Sequence, residues 1–158
     1  MTSSFASGAT CVRRSLFMAC GGYDNDFFRM NVENDFSYRV YSSGFCVCYY
    51  PDVTVIHRPH KSGRDYNAIM YFSLRNKLWG FWRNLPLSWA IMFTLLELPM
   101  GFLRAIQEGS IRAWFRAVKD AIMAMPHRSH LHKPISPSGL NIWSTVSHYI
   151  VLWQGNIP

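Results

Sequence analysis

The stretch Gly21-Gly22-Tyr23-Asp24-Asn25-Asp26-Phe27-Phe28 is followed shortly by Glu33-Asn34-Asp35-Phe36-Ser37-Tyr38-Arg39. Together they place four of the chain's nine carboxylates within twelve residues, beside a glycine pair and bulky aromatic side chains. A glycine pair lets the backbone approach a ligand closely, and carboxylates accept protons or bind cations. We therefore expect a binding or catalytic site here rather than a solvated surface.

Length and composition limit the class of protein. At 158 residues the chain is long enough for one domain with a core and short for two. Its apolar fraction of 49% and aromatic fraction of 16% exclude a disordered chain. Four cysteines are too few for a disulfide scaffold. For Cys46 and Cys48, reduced core cysteines are the default interpretation, and a zinc or redox site is the alternative.

Positive charge is concentrated in the middle of the chain. Residues 1–57 carry four Lys or Arg against five Asp or Glu, a net charge of −1, whereas residues 58–133 carry twelve against four, a net charge of +8. The basic segment is also rich in Trp, Phe and Met, which suits an anionic membrane surface. It contains no recognised nucleic-acid-binding motif, so we predict no nucleic-acid partner.

Helices and strands are predicted in the first part of the chain and helices alone in the second. Arg14–Met18 can form a helical turn, and Glu33–Ser42 indicates a helix. The β-branched and aromatic run Phe45–Tyr50 predicts a strand, and Val53–His57 predicts another. Three further helices are expected: Tyr66–Arg83, the apolar Leu87–Leu103, and the amphipathic Ser110–Met125, which Pro126 should end.

Short motifs follow one another in order: Gly8-Ala9, Arg13-Arg14, Gly21-Gly22-Tyr23-Asp24, Phe27-Phe28, Glu33-x-Asp35-Phe36-x-x-Arg39, Gly44-Phe45, Tyr50-Pro51 and His57, with Arg75-Asn76 beyond them. Over about residues 5–80, this series resembles the C-terminal half of a family-2 glycosyltransferase catalytic domain, GT-A type and rhamnosyltransferase-like. The resemblance implies an α/β fold. The acceptor side of the catalytic domain would occupy residues 1–64, followed by a helical, basic, membrane-associating segment (65–133) and a tail (134–158).

The resemblance further implies inverting transfer of a sugar from a nucleotide-sugar donor to a polysaccharide or lipid-linked acceptor. The acceptor hydroxyl is a poor nucleophile until a carboxylate takes its proton. Glu33 falls at the family's base position, and Asp35 falls at the Asp of the same motif, where its role would be orienting or structural. Val32 stands where the family has a further acidic residue. Without the resemblance, both carboxylates would be explained by the preference for negative charge in a helix's first turn.

Three groups of residues would bind substrates according to the resemblance: Gly21, Gly22, Tyr23 and Asp24 the acceptor or sugar, Arg58, Lys61 and Arg64 the diphosphate, and His57 a divalent cation, Mg²⁺ or Mn²⁺. The cation would neutralise the leaving diphosphate. Each group also has a simpler explanation, respectively turn residues after glycine, a solvated charge cluster and a hydrogen-bonded loop histidine.

The family's nucleotide-binding half, with its Asp-x-Asp motif, would precede Gly8. Asp24-Asn25-Asp26 has the letters of that motif but lies in the glycine loop. We therefore expect a truncated or split enzyme that shares its cation with a separate N-terminal half and that alone binds nucleotide poorly.

Membrane association is expected on the cytoplasmic face of the inner or plasma membrane. Leu85–Leu103 is 19 residues long with one charge, close to the ~20 residues that a span needs, but both of its flanks are basic. We expect an in-plane or re-entrant association, with a true span and helices packed against the domain or another subunit as alternatives. A non-catalytic, membrane-associated or regulatory subunit with a degenerate glycosyltransferase fold is the second function class.

Overall fold

The computed structural model describes residues 4–52, 54–56, 63 and 65–141. It contains these α-helices: α1 (Arg14–Ala19), α2 (Val32–Ser42), α3 (Tyr66–Asn84), α4 (Leu87–Gln107) and α5 (Ile111–Arg128). Short 3-10 turns occur at Ser7–Ala9, Asn25–Phe27 and Ser129–Leu131. These five helices lie where the sequence predicts helices, with ends that differ by up to four residues. Most of the predicted tail, residues 142–158, lies outside the described residues.

The ends of the long helices follow local chemistry. The Asp65 carboxylate accepts a hydrogen bond from the Ala68 amide at 3.0 Å and caps the start of α3. The expectation that Pro126 ends α5 is wrong, because the helix continues to Arg128. A proline so near a helix C-terminus forgoes only its own backbone donor and disturbs little that follows.

The α/β architecture is not confirmed, since the described residues contain helices and no strand. Residues 45–50, where a strand is predicted, carry neither helix nor strand, and the same holds for residues 54–56. Strand-forming side chains produce a strand only when a second backbone offers a ladder of hydrogen bonds, and the described residues offer none. Cys46 and Cys48 are exposed rather than in a core, with their Sγ atoms 3.6 Å apart.

The chain divides into two compact units. The first comprises residues 1–24, 33–57 and 135–158. Its centre is Phe36 of α2, which is 1% exposed. The Phe36 ring contacts those of Phe5, Phe17 and Tyr23, with centroids 6.1, 5.2 and 5.5 Å apart. This aromatic cluster joins α1 and α2 to the glycine pair between them.

The second unit comprises residues 25–32 and 58–134 and is built from α3, α4 and α5. Leu74 and Leu78 of α3 pack against Ala117 and Ala121 of α5, which are fully buried. The alanines lie four residues apart on one helical face, so the two backbones can approach closely. Helices α3 and α5 therefore pack most extensively against each other, and α4 contacts both of them.

Candidate functional site

Arg39 of α2 fastens the glycine pair to the helix. Its guanidinium donates to the Cys20 carbonyl, to the Gly22 carbonyl at 2.7 Å and to the Asp35 carboxylate at 2.7 Å. Asp35 is 1% exposed and lies one turn before Arg39 on the same helix. Because the Asp35 charge is paired and buried, its side chain is engaged in holding Arg39, which favours an orienting role over direct contact with a substrate.

Glu33 has a different environment. It is the second residue of α2 and is half-buried, and its carboxylate has no hydrogen bond or ion pair to another side chain in the part of the chain that the structure describes. Its charge is close enough to act on Tyr23. Burial, and secondarily the Glu33 charge, raise the pKa of Tyr23, so its phenol keeps its proton at neutral pH. The Glu33 carboxylate can accept a proton, and the Tyr23 phenol can donate a hydrogen bond.

The glycine pair adopts backbone angles that favour glycine. Gly21 and Gly22 have φ values of +78° and +63°. A Cβ at Gly22 would lie 3.2 Å from the Phe17 ring, whereas one at Gly21 would have 3.8 Å to the Arg39 guanidinium. Asp24, which follows Tyr23, is half-buried. The loop Gly21–Asp24 therefore runs in close contact with α1 and α2, in a conformation that side chains oppose.

We expect Gly22→Ala to reduce the free energy of unfolding more than Gly44→Ala. Gly44 has a φ of +78° but open space around a Cβ, so its substitution carries only the left-handed strain of roughly 1–2 kcal/mol. Gly22→Ala adds the Phe17 contact, about 1 kcal/mol further. Denaturant unfolding of both variants measures the difference, and equal losses would show that Phe17 yields without cost.

In the second unit, a loop over residues 25–32 is tied to α3. The side-chain amide of Asn76, which is 0% exposed, donates to the carbonyls of Phe27, Arg29 and Met30 at 2.8, 2.6 and 2.9 Å. Arg75 donates to the Asn76 amide oxygen at 2.9 Å and holds it in place. Asn76 therefore satisfies three carbonyls of one loop with a single buried group.

The backbone of this loop requires such support. Phe28, Met30 and Asn31 all have left-handed angles, with φ of 58°, 63° and 59°, which non-glycine residues rarely adopt. Arg128 of α5 adds an ion pair to Asp26 at 2.6 Å, and its guanidinium lies 4.5 Å from the Trp79 ring. The loop ends at Val32, where α2 begins.

From the sequence alone, no role could be assigned to several of these residues. Arg39 and Arg75-Asn76 were recognised only as letters of a motif, and Arg128 was not singled out. Most of their partners are backbone carbonyls, which every residue possesses, so no pattern of side chains could have indicated the contacts. Only the spacing of Asp35 and Arg39, four apart on a helix, was a readable signal.

The structure does not describe the remaining residues that were predicted to bind the cation or the diphosphate. His57, Arg58, Lys61 and Arg64 lie outside the described residues, so the structure places neither the metal ligand nor the diphosphate-binding cations. Among the residues it does describe, no three His, Cys, Asp or Glu side chains are grouped so that they could hold a metal ion.

The chain is a distant, partial relative of a glycosyltransferase. Two curated proteins from two strains of Mycobacterium tuberculosis, both described as N-acetylglucosaminyl-diphospho-decaprenol L-rhamnosyltransferase, are 32% identical to it over 92 residues. The match covers 53% of this chain and 30% of each relative, so the chain spans less than a third of their length. No family model matches the chain, and no solved structure matches it.

Proposed function

We propose that this chain contributes the acceptor side of an inverting, family-2 glycosyltransferase, which moves a sugar from a nucleotide-sugar donor to a lipid-linked or polysaccharide acceptor. The observation that carries the proposal is the environment of Glu33, a half-buried carboxylate without a charge partner among the described residues, at the start of α2. The similarity to the two rhamnosyltransferases supports the reaction class.

The proposed chemistry uses the residues in distinct ways. The Glu33 carboxylate takes the proton of the acceptor hydroxyl as that oxygen attacks the anomeric carbon, and the nucleoside diphosphate leaves with the electrons of the broken bond. Tyr23 donates a hydrogen bond beside it, since its phenol is protonated. Asp35 and Arg39 hold the loop Gly21–Asp24, which would line the acceptor or sugar pocket.

A divalent cation, Mg²⁺ or Mn²⁺, remains part of the proposal and would neutralise the leaving diphosphate. The described residues do not by themselves form a group that fits a metal ion. His57 as a ligand, and Arg58, Lys61 and Arg64 as diphosphate contacts, are proposed on the resemblance alone.

A gain-of-function experiment tests the proposal. The full chain is fused to the part of the mycobacterial relative that lies outside the match, and transfer of L-rhamnose from an activated donor to N-acetylglucosaminyl-diphospho-decaprenol is measured. We expect transfer above that of the relative's part alone. A fusion that folds, as judged by cooperative thermal unfolding, and transfers no sugar would contradict the proposal.

The second candidate is a non-catalytic, membrane-associated or regulatory subunit that keeps a degenerate glycosyltransferase fold. The observation in its favour is the exposed apolar surface of α4. This helix is long and apolar enough to cross a membrane, and only 17% of its most apolar 18-residue segment is buried. Membrane binding by the fusion without any transfer would favour this alternative.

A further inference from the structure

The outer surface of α4 is mostly apolar. Eight of its 21 residues are large apolar side chains with high exposure, among them Leu95, Met100 and Leu103 at 66%, 66% and 61%. Ala90, Gly101 and Ala105, on the opposite side, are buried. Soluble proteins rarely expose so continuous an apolar surface. This face therefore calls for an apolar environment outside the chain.

Only one of the two charged groups within α4 is turned toward α3, and the other, Arg104, is 60% exposed near the end of the helix. Glu97 pairs with Lys77 of α3 at 2.6 Å, and Arg104 pairs with Glu108 at 2.8 Å. The Trp82 indole donates to Thr94 at 3.1 Å, so a further polar group of α4 is occupied on the side of α3. One side of α4 thus contacts the rest of its unit, and the other is apolar except for Ser88 near its start and Arg104 and Gln107 near its end.

Helix α5 extends the surface and adds positive charge. Its Phe115 ring lies 6.3 Å from that of Phe102 on α4, and Phe115 and Ile122 are both exposed, at 59% and 58%. Arg112 and Lys119 are exposed beside this apolar stripe. A helix with an apolar stripe bordered by cations is the pattern of helices that lie in the interface of anionic membranes.

We infer that α4 and the exposed stripe of α5 form one membrane-docking face, which binds an anionic lipid bilayer with α4 lying in its plane. A span is disfavoured because α4 packs along α3 and α5, and crossing the bilayer would carry the exposed Arg112 and Lys119 into hydrocarbon. A second copy is disfavoured because each copy brings the same cations to the contact and the chain's net charge is +7.

Sedimentation with lipid vesicles tests the apolar part of the face. Met100 and Met18 are the same residue type with the same exposure of 66%, but Met18 lies on α1, in the first unit, and is not part of the face. In the full chain, we expect Met100→Glu to weaken binding to phosphatidylcholine vesicles containing phosphatidylglycerol by about tenfold or more, and Met18→Glu to leave it unchanged. Equal effects, or no effect of Met100→Glu, would overturn the inference.

A pair of charge reversals tests the electrostatic part. Arg112→Glu with Lys119→Glu changes the net charge as much as Arg13→Glu with Arg14→Glu, whose positions are also exposed but lie at the start of α1. We expect the first pair to weaken binding to the anionic vesicles by about thirtyfold and the second pair to have a much smaller effect. Equal losses would mean that net charge alone drives binding and that no face exists.

Orientation and self-association have their own readouts. Oriented circular dichroism should place the long helices parallel to the bilayer. Alkaline carbonate should release the protein from the vesicles, whereas retention in the membrane would mean that α4 spans it. A dimer that Met100→Glu dissociates, without vesicle binding by the original chain, would assign the face to a second copy. The inference deepens the membrane association considered under the proposed function. Vesicle binding requires no sugar transfer, so the docking face and the proposed sugar transfer can each fail without the other.

Discussion

Glu33→Gln is expected to lower the rate of sugar transfer by the fusion protein by roughly 10²–10⁴-fold, with little change in stability. The amide keeps the size of the carboxylate but cannot accept the proton of the acceptor hydroxyl. Since no described side chain forms a hydrogen bond or ion pair with Glu33, its replacement by an amide of the same size breaks no such bond among the described residues. Initial rates at saturating donor and acceptor measure the effect.

The matched control is Glu108→Gln, the same chemical change at a carboxylate that pairs with Arg104 on α4. We expect it to retain nearly full activity, because Glu108 takes no part in the proposed proton transfer. Thermal unfolding of both variants separates a chemical loss from a folding defect. If Glu33→Gln transfers sugar as fast as the unmodified fusion, Glu33 is not the base.

Asn76→Asp is expected to be the most destabilising of the substitutions considered. Asn76→Ala removes the two N–H donors that three carbonyls of the loop 25–32 share and leaves those buried carbonyls without them, a loss of about 3 kcal/mol. Asp retains the shape but turns acceptors toward those carbonyls, so the loss should be larger still. For a chain of this size, about 3 kcal/mol corresponds to a fall of roughly 10 °C in Tm.

Asn84→Ala provides the comparison, because Asn84 is also buried on α3, at 2% exposure, and donates to the Gly80 carbonyl of its own helix. We expect its loss to be near 1 kcal/mol. Limited proteolysis should also cut the Asn76 variants in residues 25–32 faster than the Asn84 variant, since the left-handed backbone there loses its support. Similar Tm values for the Asn76 and Asn84 variants would refute this role.

The helices were predictable because their signals are local. Periodic apolar residues, an N-terminal Asp and the placement of proline act within one or two turns, and all of α1 to α5 follow them. Whether residues 45–50 form a strand could not be decided from such local signals, because a strand depends on a neighbouring backbone. The reach of α5 beyond Pro126 was missed because proline is weakly disruptive so near a helix end.

The same contrast between local signals and long-range contacts applies to the candidate site. A carboxylate at the start of α2, next to a glycine pair, could be found from residue types and spacing. The separation of Glu33 from Asp35 could not, because it depends on which of the two meets Arg39. Asn76 and Arg128 acquire their roles through loop atoms 46 or more positions away along the chain, and in Asn76's case these are backbone carbonyls.

By itself, the sequence determined the helices, the concentration of carboxylates around residues 24–35 and the basic, apolar character of residues 65–133, since each depends on neighbours in the chain. Only the tertiary structure decided which carboxylate is paired, what holds the left-handed loop, and which side of α4 is covered. These depend on contacts between distant segments: Glu97 turns toward Lys77, and the opposite face of α4, having no such partner within the described chain, is left apolar and exposed.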